Sequence, residues 1–516
     1  MSIPHLASAA LPLRNGDAAP LDRVPVVPMH ELRSTALSAV ESGSRVLAFF
    51  GAAVADRSKL DGAPRVFMVL AAPAIGSLEI LSADPGDSFQ SLTPVCPQAH
   101  LFEREIAETW SIRPEGHPWL KPVRFVKSQR AAKDVWRRKE DTTILPGVAD
   151  YFEVDGDGIH EVAVGPVHAG VIEPGHFRFQ CDGERVLHLE IQLGYQHRGV
   201  ERGLLGGPNK RSIHYAETLA GDTSVGHATA YVEVVEALAR TAAPARAQSI
   251  RGIALELERL ANHTGDLGAL AGDIGYLPTA SFCGRIRGDF LNLTALLCGN
   301  RFGRGLVRSG GVRFDFEPER ATQALERLEP AFRDLSEAVG LLWTTSSVMA
   351  RFESTGRVSR EDCEALGLAG VAARACGVER DARAEFPSGI FRVAQIPPST
   401  WRSGDVFARA YVRSLEIQRS IQFLREELRS LPGGPIRREL KALQPNSIAV
   451  GLVEGWRGEI CHVAITDSNG RFAAYKIVDP SFRNWPGLAM ALRNQQISDF
   501  PLVNKSFNLS YCGFDL

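Results

Sequence analysis

The fold of this chain is decided at residues 165–179, which read GPVHAGVIEPGHFRF, and at residues 195–202, which read YQHRGVER. Two histidines, His168 and His176, and one carboxylate, Glu173, lie around three glycines in the first stretch. Glycine permits tight turns and a close approach of the backbone, so this loop can direct its imidazoles into a cavity. A lone histidine is structural by default, but three titratable groups on one loop favour a proton path or a ligand pocket.

Regular structure is predicted ahead of this loop. Two β-like runs at residues 46–50 and 66–70 flank a polar turn at residues 56–63, which predicts a hairpin in a small α/β domain. A helical stretch follows at residues 100–110, and prolines and a glycine then interrupt regular structure.

The residues from 153 onward predict short strands followed by a helical bundle. Strands are expected at 162–164, 177–179 and 186–191, and apolar stripes at helical spacing predict helices at 250–261, 325–342 and 415–428. A last hairpin, with strands at 459–466 and 473–478, is expected to cap the bundle. Residues 479–516 suit an extended strand packed on a partner subunit, with an ordinary ordered tail as the alternative.

The length and the pattern together predict several domains. At 516 residues the chain exceeds the size at which one hydrophobic core stops growing. We predict an α+β protein with a flexible leader at 1–28, a small α/β domain at 29–126, a linker at 127–152 and a mainly helical domain with β hairpins at 153–516. The linker is charged and short of apolar residues, which favours a solvated segment over a binding patch.

Charge and cysteine content exclude several classes of function. Lys plus Arg number 58 against 60 for Asp plus Glu, so no positive excess attracts phosphate, and nucleic acid is not expected as a partner. The eight cysteines include no Cys-x-x-Cys motif, which is typical of a reducing, cytoplasmic compartment. The sequence shows no signal-peptide core and no run of the roughly 20 apolar residues that a spanning helix needs. Membrane association is therefore expected to go through a partner.

The two opening stretches resemble a known family, the large subunits of membrane-associated, energy-converting nickel–iron hydrogenases, whose fold the complex I D subunit shares. Further blocks of this resemblance are LELERLANH at 255–263, GDVFAR at 404–409 and RGE at 457–459. The first domain resembles the complex I C subunit through AHLFERE at 99–105 and PEGHP at 114–118. The order of the blocks is that of a C/D fusion, as in large subunits of the formate hydrogenlyase type.

The resemblance also locates the family's metal site, which takes four thiolates from two Cys-x-x-Cys pairs. It places the first pair at Ala220 and Thr223, ahead of a retained histidine at His227, and the second pair at Ser481 and Asn484. Methyl, hydroxyl and amide groups cannot replace thiolates for a soft metal. No metal is therefore expected on this chain, and hydrogen activation is disfavoured.

Quinone binding is the family's other use of this cavity. The resemblance implies that a hairpin histidine and a tyrosine near the lost first pair hold the quinone head group. His168 fits the histidine, whereas Gly221 and Asp222 stand near the place of the tyrosine, which leaves Tyr215 or Tyr231 as alternatives.

Specific residues are expected to carry the chemistry. The candidates for proton transfer are His168, Glu173 and Asp222, and the candidate pocket consists of His168, His176, His227, Asp479 and Arg483. In the alternative, Phe482 and Trp485 fill the space while the charges pair, Asp479 with Arg483 or Asp222 with a nearby arginine.

The resemblance implies a place in a larger assembly. The first hypothesis is a peripheral-arm subunit at the cytoplasmic face of the inner membrane, in a complex that couples electron transfer to ion translocation. The implied partners are an iron–sulfur small subunit, which holds the clusters, and indirectly the antiporter-like membrane subunits. Quinone and NAD binding are also implied, while the sequence leaves the electron donor and acceptor open. The second hypothesis is a non-catalytic scaffold of such a complex, and the third is a true hydrogenase.

Overall fold

The computed structural model describes residues 10–53, 64–168 and 172–516. Within these ranges the strands are β1 Leu11–Leu13, β2 Ala18–Pro20, β3 Arg45–Ala52, β4 Arg65–Ala72, β5 Ser77–Ala83, β6 Ser88–Gln90, β7 Arg113–Glu115, β8 Ile159–Val164, β9 His176–Asp182, β10 Arg185–Gln192, β11 Val307–Arg308, β12 Gly311–Val312, β13 Ser447–Gly455, β14 Gly458–Thr466 and β15 Phe472–Val478. The helices are α1 Met29–Glu41, α2 His100–Trp110, α3 Val200–Leu204, α4 Ser212–Glu217, α5 Ser224–Leu238, α6 Ala245–Asp273, α7 Leu277–Cys298, α8 Pro318–Thr344, α9 Ser346–Phe352, α10 Arg360–Leu366, α11 Gly370–Arg374, α12 Ala382–Glu385, α13 Val406–Arg429, α14 Pro480–Ala491, α15 Phe500–Phe507 and α16 Tyr511–Asp515. These elements form the predicted α+β fold, with a small N-terminal α/β part and a mainly helical second part.

A four-stranded antiparallel sheet of order β1-β5-β4-β3 forms the N-terminal part. The predicted hairpin is confirmed as β3 and β4, with Phe49 opposite Met68, while its predicted turn at 56–63 lies outside the described residues. The predicted helix at 100–110 is confirmed as α2, which packs against β3. β4 is almost completely buried, because it lies between β3 and β5 in the sheet and α1 packs on it.

Residues 10–28 differ from the flexible leader that the sequence predicts. β1 pairs with β5, with Leu11 opposite Ile80, and β2 pairs with β13 in the second part of the chain. Each strand is only three residues long, so its alternation is too short to stand out as a sequence pattern. Residues 10–28 therefore connect the two parts of the molecule through strand pairing.

The predicted linker at 127–152 contains neither helix nor strand. It is nevertheless anchored, because Arg130 Nη2 and Lys133 Nζ each donate to Asp87 Oδ1 over 2.7 Å. The Arg130 side chain is buried, so this part of the segment packs on the N-terminal sheet instead of crossing solvent.

The loop at 165–179 connects two paired strands. β8 ends at Val164 and β9 begins at His176, and both belong to an antiparallel sheet of order β10-β9-β8. These strands confirm the three that the sequence predicts in this region. Residues 169–171 of the loop lie outside the described residues.

The C-terminal hairpin lies at the centre of the second part, so the expectation that it caps the bundle is wrong. β14 and β15 confirm the two predicted strands, and β13 and β2 extend them into a sheet of order β15-β14-β13-β2. Every residue of β13 and β14 is buried, and α5 packs on this sheet. A strand that is buried on both faces is apolar throughout. Its sequence therefore does not alternate and does not predict which elements pack on it.

The long helices α6, α7, α8 and α13 pack against one another, and α5 lies in contact with both α6 and the sheet. The three predicted apolar stripes are confirmed within α6, α8 and α13. The sequence did not predict α5, because its residues are buried on nearly all sides and show no helical period.

The last residues of the chain, 479–516, form α14, α15 and α16, so the extended strand predicted for them is wrong. Their aromatic side chains are buried against the same molecule, among them Phe482, Trp485 and Tyr511. No helix within the described residues combines the length and the apolar character that a membrane crossing requires.

Candidate functional site

The turn before α5 holds Asp222 in an ion pair. Nη1 and Nη2 of Arg457 lie 2.6 and 2.8 Å from the two carboxylate oxygens of Asp222. Thr223 Oγ1 donates to Asp222 Oδ1 over 3.0 Å and accepts a hydrogen bond from Trp456 Nε1 over 3.1 Å. Burial alone would raise the pKa of Asp222, but the Arg457 guanidinium holds that pKa below its ordinary value. The pairing of Asp222 with a nearby arginine, which the sequence left as an alternative, is therefore present.

A second carboxylate, which the sequence analysis did not single out as a site residue, lies under the same turn. Glu258 of α6 accepts the backbone N–H groups of Val225 and Gly226 over 2.7 and 3.1 Å. These are free donors in the first turn of α5, where negative charge is favoured. Burial nevertheless raises the pKa of Glu258 to about 8, and the charge on Asp222 adds to this rise. Glu258 is thus a buried carboxyl group with a raised pKa beside the candidate site.

Asp479 connects the first turn of α14 to α5. Its Oδ1 accepts the backbone N–H of Ser481 over 2.7 Å, and its Oδ2 lies 2.9 Å from Nε2 of His227. The expected pair between Asp479 and Arg483 does not form, because Nη1 of Arg483 donates to Glu459 over 2.5 Å. Burial alone would raise the pKa of Asp479, but His227 and nearby Arg457 lower it. The structure thus brings Asp479 and His227 together and pairs Arg483 with Glu459 of β14.

The residues at the predicted ligand positions are engaged in structural hydrogen bonds. Ser481 Oγ accepts the N–H of Ser510 over 2.9 Å. Asn484 accepts the N–H of Ala369 over 2.9 Å and donates to the carbonyl of Ala369 over 3.1 Å. Ala220 is fully buried and offers only a methyl group. These side chains do not fit a nickel–iron centre, because none is a thiolate and their polar atoms already have partners.

A different segment lies opposite Thr223. Arg457, which binds Asp222, also donates from Nε to the carbonyl of Asn508 over 2.5 Å. Ser510 and Gly513 follow at the same i, i+3 spacing, and a Cβ on Gly513 would lie 2.7 Å from Cγ of Asp479. The geometry therefore favours positions 510 and 513 over 481 and 484 as the face opposite the first pair. Neither position carries a thiolate.

In the part of the hairpin loop that the structure describes, two histidine nitrogens have no hydrogen-bond partner. Within the described residues, the Nε2 atoms of His168 and His176 are buried and have no hydrogen-bond partner. Nδ1 of His176 lies 3.2 Å from the carbonyl oxygen of Gly165, and burial lowers the pKa of His176. Glu173 is tied down by Gln196, whose Nε2 donates to it over 3.0 Å.

An aromatic cluster adjoins this loop. The ring of His168 lies 5.6 Å from the ring of Phe177, which in turn lies 6.2 Å from Trp485 and 6.5 Å from Tyr511. Trp485 is only 3% exposed, and within the described residues its Nε1 has no hydrogen-bond partner. The sequence predicted only that Trp485 fills space in the cavity. Whether an indole N–H has a hydrogen-bond partner cannot be read from the order of residues.

The candidate residues therefore fall into two groups. Asp222, His227 and Asp479 lie around Arg457 and α5, whereas His168 and His176 lie at the aromatic cluster. The segment that contains α16 joins the two groups, because Tyr511 packs against Trp485 at 4.9 Å while Gly513 abuts Asp479. The alternative tyrosine Tyr231 packs against Tyr475, and Tyr215 lies beside Gly203. Within the described residues, no group of three or more His, Cys, Asp or Glu side chains is arranged to hold a metal ion.

Comparisons with known proteins agree with the order of the two parts. Residues 53–136 match the family of the 30 kDa subunit of respiratory-chain NADH dehydrogenase, and residues 273–448 match the family of its 49 kDa subunit.

Individual relatives extend this match over most of the chain. Hydrogenase-4 component G of Escherichia coli (strain K12) is 30% identical over 465 residues, covering 88% of this chain and 79% of that protein. Formate hydrogenlyase subunit 5 of the same organism is 29% identical over 434 residues, covering 82% of this chain and 76% of that protein. The D subunit of the NADH-quinone oxidoreductase of Clostridium beijerinckii is 29% identical over 323 residues, covering 62% of this chain and 87% of that protein.

Proposed function

Because this chain belongs to the family of complex I 49 kDa-type subunits and membrane-bound hydrogenase large subunits, we propose that it serves as a peripheral-arm subunit that delivers electrons to quinone. The observation that carries this proposal is the buried Nε2 of His168, which has no partner within the described residues. A buried polar atom without a hydrogen-bond partner raises the free energy of the folded protein. An oxygen atom of a bound ligand would supply that hydrogen bond.

The surroundings of His168 suit a quinone head group. Quinone is a flat ring with two carbonyl acceptors, and the cluster offers the rings of Phe177, Trp485 and Tyr511. The indole N–H of Trp485 supplies a second unpaired donor. An imidazole next to a reduced quinone oxygen can also transfer a proton to it.

The proposed assembly contains two kinds of partner subunit. An iron–sulfur small subunit would bring electrons to the quinone, and antiporter-like membrane subunits would use the energy to translocate ions. The chain would then lie at the cytoplasmic face of the membrane, attached through these partners. The relationship to a protein named for NADH-quinone oxidoreductase supports this placement.

We predict that the purified chain contains no stoichiometric nickel. The expected result follows from the absence of a thiolate at the candidate ligand positions, which hold Ala220, Thr223, Ser510 and Gly513, and likewise at Ser481 and Asn484. Elemental analysis of the native complex after chelation measures this directly, and hydrogen uptake is expected to be absent. One nickel per chain that survives chelation would overturn the prediction.

The His168→Ala variant tests the quinone site. We expect quinone-dependent turnover of the assembled complex to fall by about 100-fold, the low end of what a positioned acid or base contributes. Assembly is expected to persist, because the imidazole is only half buried and its Nε2 holds no other part of the described chain. His160→Ala is the matched control, since His160 is exposed on the preceding strand β8. Unchanged turnover in His168→Ala eliminates His168 as the quinone partner.

A non-catalytic scaffold is the second candidate. It is favoured by the ion pair of Arg457 with Asp222 and by the hydrogen bond that Ser481 accepts from the N–H of Ser510, because these contacts serve the fold. Under this alternative, His168→Ala leaves electron transfer unchanged, and variants at Arg457 disrupt assembly of the complex. Quantifying the co-purified small subunit in each variant separates the two functions.

A further inference from the structure

Four buried polar side chains form one continuous hydrogen-bonded chain from β15 to α14. The hydroxyl of Tyr475 lies 2.9 Å from Nδ1 of His462, Nε2 of His462 lies 3.1 Å from Nδ1 of His227, and Nε2 of His227 lies 2.9 Å from Oδ2 of Asp479. The exposed fraction is 0% for both histidines, 1% for Asp479 and 5% for Tyr475. Bulk water therefore does not compete for these bonds.

The order of donors along this chain is fixed by the chemistry of imidazole. A neutral imidazole has one donor and one acceptor nitrogen, and here both nitrogens of each ring are engaged. An ionised Asp479 is acceptor-only, so His227 donates from Nε2, His462 donates from Nε2 to His227, and Tyr475 donates to His462. All three bonds then point the same way, from Tyr475 to Asp479.

The surroundings of His462 favour its neutral ring. Burial lowers the pKa of His462 well below its ordinary value, and the neighbouring His227 lowers it further. Burial also raises the pKa of Tyr475 well above its ordinary value, and the nearby Tyr231, Cys461 and Glu201 add to that rise. Arg457 is the charged group that faces Asp479 from the other side.

We propose that Tyr475, His462, His227 and Asp479 form a proton relay that delivers one proton to the candidate site. The O–H bond of Tyr475 breaks as its proton binds Nδ1 of His462, and the Nε2 proton of His462 moves to Nδ1 of His227. The Nε2 proton of His227 then moves to Oδ2 of Asp479, and the Tyr475 oxygen takes its replacement proton from a hydronium ion, which leaves as water. No electron moves, and each ring ends neutral with its tautomer exchanged.

The relay ends where a proton would be needed. Asp479 adjoins Gly513 at the start of α16, and the same short helix presents Tyr511 to the aromatic cluster beside His168. A quinone that is reduced by two electrons takes up two protons, so a second proton supply besides His168 completes that reaction. This inference rests on the proposed function, although the relay itself is a property of the chain that can be measured alone.

The first test measures the tautomers in the full-length chain labelled with nitrogen-15 histidine. Two-dimensional NMR that correlates ring carbon protons with both ring nitrogens reports which nitrogen holds the proton, and His462→Gln and His227→Gln assign the two rings. We expect both rings to be neutral with the same tautomer, and Tyr475→Phe to shift the Nδ1 signal of His462. Different tautomers in the two rings, or a charged ring at neutral pH, would break the single direction of the chain and overturn the proposal.

The second test measures turnover in the assembled complex. Tyr475→Phe removes only the hydroxyl and keeps the ring that packs against Phe472 and Tyr231. We expect quinone-dependent turnover to fall by about 100-fold, with a changed solvent isotope effect. Tyr411→Phe is the control, because it also removes one tyrosine hydroxyl, and Tyr411 lies on α13 against Trp343 and Trp401, outside the four side chains of the relay.

The outcomes separate the relay from the proposed function. Equal turnover in Tyr475→Phe and in the unmodified complex overturns the relay while the quinone function stands. A complex that transfers no electrons to quinone in the unmodified form overturns the proposed function, and the tautomer measurement then decides the relay by itself.

Discussion

The Arg374→Ala variant is expected to lose about 3–5 kcal/mol of unfolding free energy. Arg374 is fully buried, and its guanidinium lies 2.8 Å from Glu416 and 2.8 Å from Glu454. Removing the cation leaves both carboxylates in the interior without their main countercharge, and an unpaired buried charge is far more costly than a lost surface pair.

The pKa values of Glu416 and Glu454 indicate that Arg374 stabilises their ionised forms. Burial alone would raise the pKa of Glu416, but Arg374 and His263 hold it well below its ordinary value. Burial raises the pKa of Glu454 to about 7 even with Arg374 beside it. Without Arg374, both groups are expected to take up protons more readily, so the loss of stability is expected to be larger at high pH than at low pH.

Urea denaturation followed by circular dichroism measures the loss in Arg374→Ala. Arg285→Ala is the matched control, since Arg285 pairs with Asp289 and Asp334 at the surface and is 52% exposed. The control is expected to change the free energy of unfolding by about 0–1 kcal/mol. An equal effect in the two variants would show that the buried network does not stabilise the fold.

The Arg45→Ala variant is expected to weaken the contact between the N-terminal part and the central sheet, also by about 3–5 kcal/mol. Arg45 begins β3 and is 1% exposed, and its Nη2 lies 2.7 Å from Glu459 of β14 and 2.6 Å from Glu385. Glu459 keeps Arg483 as a partner, but Glu385 loses the only ion pair it makes within the described residues.

Limited proteolysis of the full-length chain locates the effect of Arg45→Ala, and urea denaturation gives its size. We expect earlier cleavage near residues 127–152, where the two parts of the chain join. Arg360→Ala is the control, because Arg360 pairs with Glu364 on the exposed surface of α10 and is 59% exposed. A cleavage pattern that matches the control would show that β2 and the apolar contacts hold the two parts together without Arg45.

Several elements of the fold could be predicted because their apolar residues recur on one face or because their strands are short and bounded by turns. The helix at 100–110 and the stripes within α6, α8 and α13 show a helical period since only one face is apolar. The central β13 and α5 could not be predicted in this way, because a covered element is apolar on every side and has no period.

The sequence by itself determined the α+β order of the two parts, the family resemblance and the absence of thiolates at the expected ligand positions. Only the tertiary structure decided which polar groups meet: His227 lies 235 residues from His462 and 252 residues from Asp479 along the chain, and Arg45 lies 414 residues from Glu459. The physical reason is that a local pattern reports whether one face of an element is buried, whereas the partner of a buried polar atom depends on which distant element packs against that face.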